Sequence, residues 1–286
     1  MPKPEWLTLR YEHKDAFADV KQTLRSLELV TVCEESHCPN QTECWNTGTA
    51  TFMILGDTCT RGCKFCNIKT ATKGMPIDPE EPQKLLQAAQ HLQLTYVVVT
   101  SVDRDELPDQ GAQHFANCIT LLKQNGILVE ALIPDYQGNK ECVNTILQTQ
   151  PNVLAHNIET VQRLQPHVRD LRANYEQSLN VLNHAKKSGV YTKSSLMLGL
   201  GETSEEVFQT MQDLRACHVD ILTLGQYLQP SKKHLTIKEY ITPEQFKAYE
   251  KKAYELGFLH VIAGPFMRSS YKAGEFFMKY QDGVTI

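Results

Sequence analysis

No apolar run in the sequence approaches the length of about 18 residues that a membrane-spanning helix needs, so a place in the bilayer is not expected. Basic charge is not in excess either. With 29 Lys and Arg against 33 Asp and Glu the net charge is -4, and the basic domain that marks nucleic-acid binding is missing. The opening stretch MPKPEWLTLRYEHKD lacks the apolar core of a signal peptide, so a cytoplasmic location is expected and the glycosylation sequon at Asn40 is read as chance. No GxxxxGKS, GxxxxGKT, HExxH or GxSxG motif is present, which leaves a P-loop, a zincin and a hydrolase elbow without support. Low-complexity tracts and sequence repeats are also lacking.

Cysteine, by contrast, is plentiful and uneven. Of nine cysteines, six fall between Cys33 and Cys66, while Cys118, Cys142 and Cys217 stand alone. In a reducing compartment such clustering points to metal rather than to disulfides. The three single cysteines read as small buried hydrophobes. Hydrophobic residues make up 41% of the 286, enough for a sizeable core and compatible with one α/β barrel.

Residues 1–48 show little periodicity and form an N-terminal extension with a short helix near Asp15 to Leu27. From Thr49 onward, short β-branched runs alternate with longer polar-faced segments, the pattern of βαβ units and a parallel sheet. Strands are expected at 49–56, 95–102, 127–135, 152–159, 191–200 and 221–228. Asp78, Thr203 and Thr242, each followed three residues later by Glu or Gln, mark helix starts, with Pro79 and Pro243 at the first helical position. The fold class is therefore α/β: a partial (β/α)6 TIM-like barrel over residues 49–240, completed by a C-terminal extension at 241–286. Its active site belongs at the carboxyl ends of the strands. Four polar clusters fall there: Thr100 to Glu106, His156 to Glu159, Gly199 to Glu202 and Gln226 to Pro230.

The stretch CTRGCKFC sets Cys59, Cys63 and Cys66 in the pattern CxxxCxxC directly after the first strand. A four-iron cubane is normally held by four thiolates, so three on one loop leave an iron open to bind and reduce a small molecule. Gly62 is expected to let this loop turn sharply. Zinc is the competing reading, although only one CxxC pair exists and no HxxxH accompanies it. The earlier stretch CEESHCPNQTECW holds Cys33, Cys38 and Cys44. Six thiolates exceed the four irons of one cubane, so two clusters are expected, with His37 read as a solvated loop residue. The GxG of GLGE at 199–202 is a weak phosphate signal and reads as a close backbone approach to a ligand.

The CxxxCxxC triplet, with Phe65 before its last cysteine, is the hallmark of the radical S-adenosylmethionine (SAM) superfamily. The order CxxxxCxxxxxC, CxxxCxxC and then Arg268-Ser269-Ser270-Tyr271 resembles the lipoyl synthases in particular. The likeness extends through CPNQTECW, MILGDTCTRGCKFC, TSVDRDELPDQGAQHF, HNIETV, YEQSL, MLGLGE and GQYLQPS, from residue 30 to about 275. Biotin synthase shares the chemistry but not the N-terminal triplet.

This resemblance implies two 4Fe-4S clusters. One sits on Cys59, Cys63 and Cys66 and binds SAM; an auxiliary one sits on Cys33, Cys38, Cys44 and a serine of the RSSY stretch, for which Ser270 is the candidate although Ser269 stands beside it. It also implies insertion of sulfur at carbons six and eight of an octanoyl group on a lysine of a lipoyl carrier protein, either a lipoyl domain or a glycine-cleavage carrier protein. Those carbons carry no acidic proton, so a 5′-deoxyadenosyl radical removes hydrogen and the auxiliary cluster supplies the sulfur. The enzyme would be a sulfurtransferase of lipoate biosynthesis, fed electrons by a donor such as ferredoxin or flavodoxin. Candidates for holding SAM are Phe65 near the adenine, Thr100, Ser101 and Asp103 for the amino group or ribose, Glu159 for the ribose hydroxyls, and Arg172 for the carboxylate. Lys232, Lys233 and His234 are candidates to meet an acidic carrier.

Anaerobically prepared protein is expected to hold about eight irons and eight sulfides per chain, as two cubanes require. Zinc without sulfide, measured by metal and sulfide analysis, would contradict the two-cluster assignment.

Overall fold

The computed structural model describes residues 2–8, 14–46, 50–271, 273 and 274. Thr49, where the first strand was expected to begin, and the part of the C-terminal extension beyond 274 lie outside the described residues.

The chain opens with helix α1 (Asp15–Ser26), strand β1 (Val30–Thr31) and two short helices, α2 (Val32–Glu35) and α3 (Gln41–Asn46). Strand β2 (Thr51–Ile54) follows, then the small strands β3 (Thr58–Cys59) and β4 (Lys69–Thr70). The alternating part runs α4 (Glu81–His91), β5 (Tyr96–Ser101), α5 (Ala112–Gln124), β6 (Leu128–Leu132), α6 (Lys140–Leu147) and β7 (Val153–Ala155). It continues through α7 (Gln165–Val168), α8 (Tyr175–Lys186), β8 (Tyr191–Leu198), α9 (Ser204–Ala216), β9 (Ile221–Gln226), α10 (Pro243–Glu255) and β10 (His260–Gly264).

All six expected strands are present, in the order β2-β5-β6-β7-β8-β9 and parallel throughout. Two more join them. β10, from the stretch set apart as the C-terminal extension, pairs parallel to β9, and β1 pairs antiparallel to β2. These edge strands do not pair with each other, so the barrel stays open along one side. Strands β2 and β9 are buried along their whole length, as expected of a parallel sheet covered on both faces. Helix α5 shows why the repeats pack: Phe115, Ile119 and Leu122 fall at helical spacing and are fully buried. Each such side chain contributes about 1.5–3 kcal/mol by leaving water.

The helix starts follow local chemistry. Thr203 and Glu206 form a reciprocal capping box on α9, and Thr242 accepts from the Gln245 amide with Pro243 in the first turn of α10. Helix α4 begins two residues later than Pro79 would place it. Asp78 accepts from the Glu80 amide instead, and Pro82 takes the first turn. Among the described residues no helix is long and apolar enough to cross a membrane.

Inside the barrel, Lys193 on β8 reaches across β7 to Glu130 on β6, its Nζ 2.9 and 3.0 Å from the two carboxylate oxygens. The Tyr96 hydroxyl donates to the same carboxylate at 2.9 Å. Both charged side chains are only 1% exposed, so neither tolerates loss of its partner. Lys193→Met is expected to cost about 3–5 kcal/mol in urea denaturation, and adding Glu130→Leu to recover most of it, because the second change removes the orphaned charge. Equal stability of the single and double variants would contradict this.

Candidate active site

The carboxyl ends of the strands surround a cavity of about 490 Å³, and all six clustered cysteines line it. They arrive on two separate pieces of backbone. Cys33 lies on α2, which Thr31 caps by accepting from the Glu34 amide. The Cys38 amide donates to the Cys33 carbonyl at 3.1 Å, and Cys44 follows on α3, whose Trp45 is fully buried against Phe17 of α1. His37 takes a left-handed φ of 51° in the turn between them and is exposed at the rim of the cavity, as expected of a solvated loop residue.

The second triplet is held by a buried arginine. Arg61, between Cys59 and Cys63, donates through Nε and Nη2 to both oxygens of Asp105 at 2.8 Å and through Nη1 to Asp135 at 2.7 Å. Asp103 lies 3.3 Å from its Nε. This fork fixes the cysteine loop to the ends of β5 and β6. Thr60 adds backbone and hydroxyl bonds to the Asp103 carbonyl, and Arg104 braces the neighbouring turn through the carbonyls of Leu55 and Met75. Gly62 does not supply the expected sharp turn, since its φ is not in the left-handed region; its amide donates to Asp170 at 2.8 Å. The Cys66 carbonyl accepts from His234 Nε2 at 3.0 Å, and Asn67 donates to the Glu35 carbonyl at 2.7 Å, joining the two cysteine segments.

A strap after β10 closes the open side. The Asn40 side chain donates to the Phe266 carbonyl at 2.6 Å, Tyr271 donates to Glu43 at 2.7 Å, and Ser269 donates to Asn157 at 3.0 Å. Arg268, Ser269, Ser270 and Tyr271 all line the cavity. Ser269 has its hydroxyl committed to Asn157, whereas among the described residues Ser270 makes no hydrogen bond.

Burial dominates the electrostatics. It pushes the thiols of Cys59 and Cys63 up to about 12 and those of Cys33 and Cys66 to about 11, and Cys38 is raised as well. Such thiols stay protonated at neutral pH and become ligands only against a strongly positive group. Asp103 is raised to about 6, first by burial and then by Asp135 and Asp105, with Arg61 opposing. Burial and Arg169 lower His156 to about 4, so its ring is neutral, bonded to the Ile133 carbonyl and to Ser178.

The remaining expected residues divide. Phe65, Thr100, Ser101, Asp103 and Glu159 line the cavity, and Ser101 Oγ is buried without a partner. Arg172 does not: it is spent on Asp170, Asp105 and the Thr60 carbonyl. Arg169, three residues earlier and overlooked in the sequence, faces the cavity while bonding Ser178 at 2.7 Å. Of the four rim clusters, Gly199 to Glu202 stays outside the cavity. Glu202 there accepts from the Gly199 and Leu200 amides, and the groups that approach Gly199 are the Gln226 side chain and the Glu239 carbonyl, 2.2 and 2.3 Å from where a Cβ would stand.

The donor set fits iron–sulfur groups. Among the described residues no three His, Cys, Asp or Glu side chains converge as one metal ion would need. Each thiol triplet instead lines the cavity, as suits a cubane in which every iron takes its own thiolate. Ser101, whose buried Oγ has no hydrogen-bond partner among the described residues, lines the same space and suits a polar ligand beside it.

An incomplete parallel barrel with a thiol triplet after its first parallel strand is the plan of the radical SAM superfamily, whose profile matches residues 53–214. The FeFe-hydrogenase maturase of Carboxydothermus hydrogenoformans superposes with a TM-score of 0.56 over 93% of this chain and 78% of its own, at 13% identity, a likeness of fold. Closer in sequence, a mitochondrial lipoyl synthase of Xenopus laevis is 53% identical over 96% of this chain and 77% of the relative. A lipoyl synthase of Halobacterium salinarum is 53% identical over 96% of this chain and 91% of the relative. The chain is an enzyme of the lipoyl synthase family.

Arg61→Ala should leave Asp135 buried without its main counter-charge, at a cost of about 3–5 kcal/mol in the denaturation of the metal-free protein. Arg61→Lys should recover only part, because an ammonium cannot make the two-pronged contact with Asp105. Full recovery by lysine would show that charge alone, and not the fork, holds the loop.

Proposed function

We propose that this chain inserts two sulfur atoms at carbons six and eight of an octanoyl group borne on a lysine of a lipoyl carrier protein. The observation that carries the proposal is the convergence of two thiol triplets on one cavity. When bound, a 4Fe-4S cluster at Cys59, Cys63 and Cys66 supplies the electron that cleaves SAM to a 5′-deoxyadenosyl radical, and a second at Cys33, Cys38, Cys44 and Ser270 supplies the sulfur.

The residues of the chain then have distinct tasks. Arg61 and Thr60 set the loop that carries Cys59, Cys63 and Cys66, the three residues that would hold the first cluster at the cavity wall. Asp103 and the uncommitted hydroxyl of Ser101 offer acceptors for the amino group of SAM, and Glu159 an acceptor for its ribose. Thr100 already donates its hydroxyl to the Leu132 carbonyl and has only its oxygen lone pairs left to offer. Phe65 packs on the apolar side of the site with the β8–β9 core and suits the adenine. With Arg172 occupied, Arg169 is one guanidinium of the cavity lining that suits a carboxylate. Ser270 is favoured over Ser269 as the oxygen ligand because among the described residues its hydroxyl has no other partner. An oxygen ligand is harder and binds iron less tightly than thiolate, so Ser270 would hold the group more weakly than the three cysteines.

The acyl arm reaches this space through the mouth near Pro230, beyond which Lys232 and Lys233 are exposed and suit an acidic carrier. His234, expected to join them, is instead tied to Cys66 and Ser231. A ferredoxin or flavodoxin would serve as the electron donor.

Protein carrying labelled sulfide only in its clusters, incubated with octanoyl-lysine peptide, SAM and reductant, should pass the label to the product as read by mass spectrometry. Unlabelled product would refute the sacrificial source, and an octanoyl peptide left unchanged would refute the reaction.

A further inference from the structure

Two other arginines, Arg61 and Arg169, line the cavity, Arg104 and Arg172 lie outside its lining, and carboxylates stand beside each of the four. Arg61 meets Asp103, Asp105 and Asp135; Arg104 meets Glu106; Arg169 lies 3.7 Å from Asp135; Arg172 meets Asp170 and Asp105. Arg268 is the exception. Its Nη1 donates to the Met267 carbonyl at 2.7 Å, and among the described residues no Asp or Glu pairs with it. A guanidinium carries five N–H donors, and this one uses a single bond while lining the cavity beside Cys38. A cation so placed is costly unless something negative stands opposite it.

The fold goes to some length to put it there. A Cβ on Gly225, at the end of β9, would stand 2.0 Å from the Met267 carbonyl oxygen and 3.2 Å from Arg268 Nη1, so only glycine lets the strap sit this close to the strand. The Asn40 bond to the Phe266 carbonyl pins the other side of the strap to the segment that carries Cys38 and Cys44.

We propose that Arg268 is the charge partner of the iron–sulfur group held by Cys33, Cys38 and Cys44, a fixed cation that offsets its negative charge, strengthens its retention and raises its reduction potential. Cluster charge and the hydrogen bonds around it set such potentials, and an added negative charge on reduction is stabilised by a nearby cation. This assignment rests on the auxiliary cluster proposed above and adds to its ligands a residue that touches no iron.

The test uses the full chain with Cys59→Ala, Cys63→Ala and Cys66→Ala, which leaves only the first triplet to hold iron. About four irons and four sulfides per chain in this parent are expected; their absence would overturn the auxiliary cluster itself. On that parent, Arg268→Gln should shift the midpoint potential, read by EPR-monitored titration, to more negative values and speed cluster loss to a chelator. Arg268→Lys should stay near the parent in both. Thermal melting of the metal-free forms checks that the variants fold. Should Arg268→Gln fail that check, Gly225→Ala, which displaces the strap without removing the charge, should give the same negative shift. A parent cluster whose potential and retention are unchanged in Arg268→Gln, or changed equally in Arg268→Lys, would overturn the role of the charge.

Discussion

Thiols taken out of water resist ionisation, and the whole site is arranged around that resistance. Burial holds Cys59 and Cys63 near 12 and Cys33 and Cys66 near 11, so without a metal–sulfur group the cavity is lined by neutral, inert sulfur. Binding such a group, as proposed, would release protons and turn the same thiols into ligands, which would couple assembly of the site to its chemistry. The burial that imposes this cost would also shield the proposed radical from water.

The open barrel makes that burial possible while leaving a way in. Parallel strands β2 and β5 to β10 deliver polar residues to one end, and the missing closure between β1 and β10 leaves room for two further segments. One is the α2–α3 segment with the first triplet, and the other is the strap carrying Arg268 to Tyr271. They are fastened to each other through Asn40 and Tyr271, and to the cysteine loop through Asn67. Charge is handled locally: Arg61 sits among three carboxylates, and the neutral ring of His156 props Ser178, which in turn holds Arg169.

Much of this was legible in the chain because it is local. Strand runs such as YVVVT and ILTLG, the caps at Thr203 and Thr242 and both cysteine spacings depend on residues a few positions apart. What the sequence did not disclose depends on distance. Arg61 stands inside the most visible motif, yet its partners Asp105 and Asp135 lie 44 and 74 residues away. Arg169 and Arg172 share one loop, and no periodicity says which faces the cavity. Strand β10 is short and half-exposed, so its run HVIAG carries a weak pattern, and β1 has only two residues. The close approach at Gly199 was legible, but the neighbours that come close, Gln226 and Glu239, lie far along the chain. Ser269 and Ser270 were equivalent until Asn157 claimed one of them.

The central claim is that the loop of Cys59, Cys63 and Cys66 holds an iron–sulfur group with a corner left for SAM. Its most direct test is the release of 5′-deoxyadenosine from SAM by anaerobically prepared, reduced protein, followed by chromatography without any acyl substrate. The account predicts release by the native chain and none by Cys63→Ala, which keeps the first triplet intact. Iron-loaded native protein that leaves SAM uncleaved, or a Cys63→Ala variant that cleaves it equally well, would contradict it.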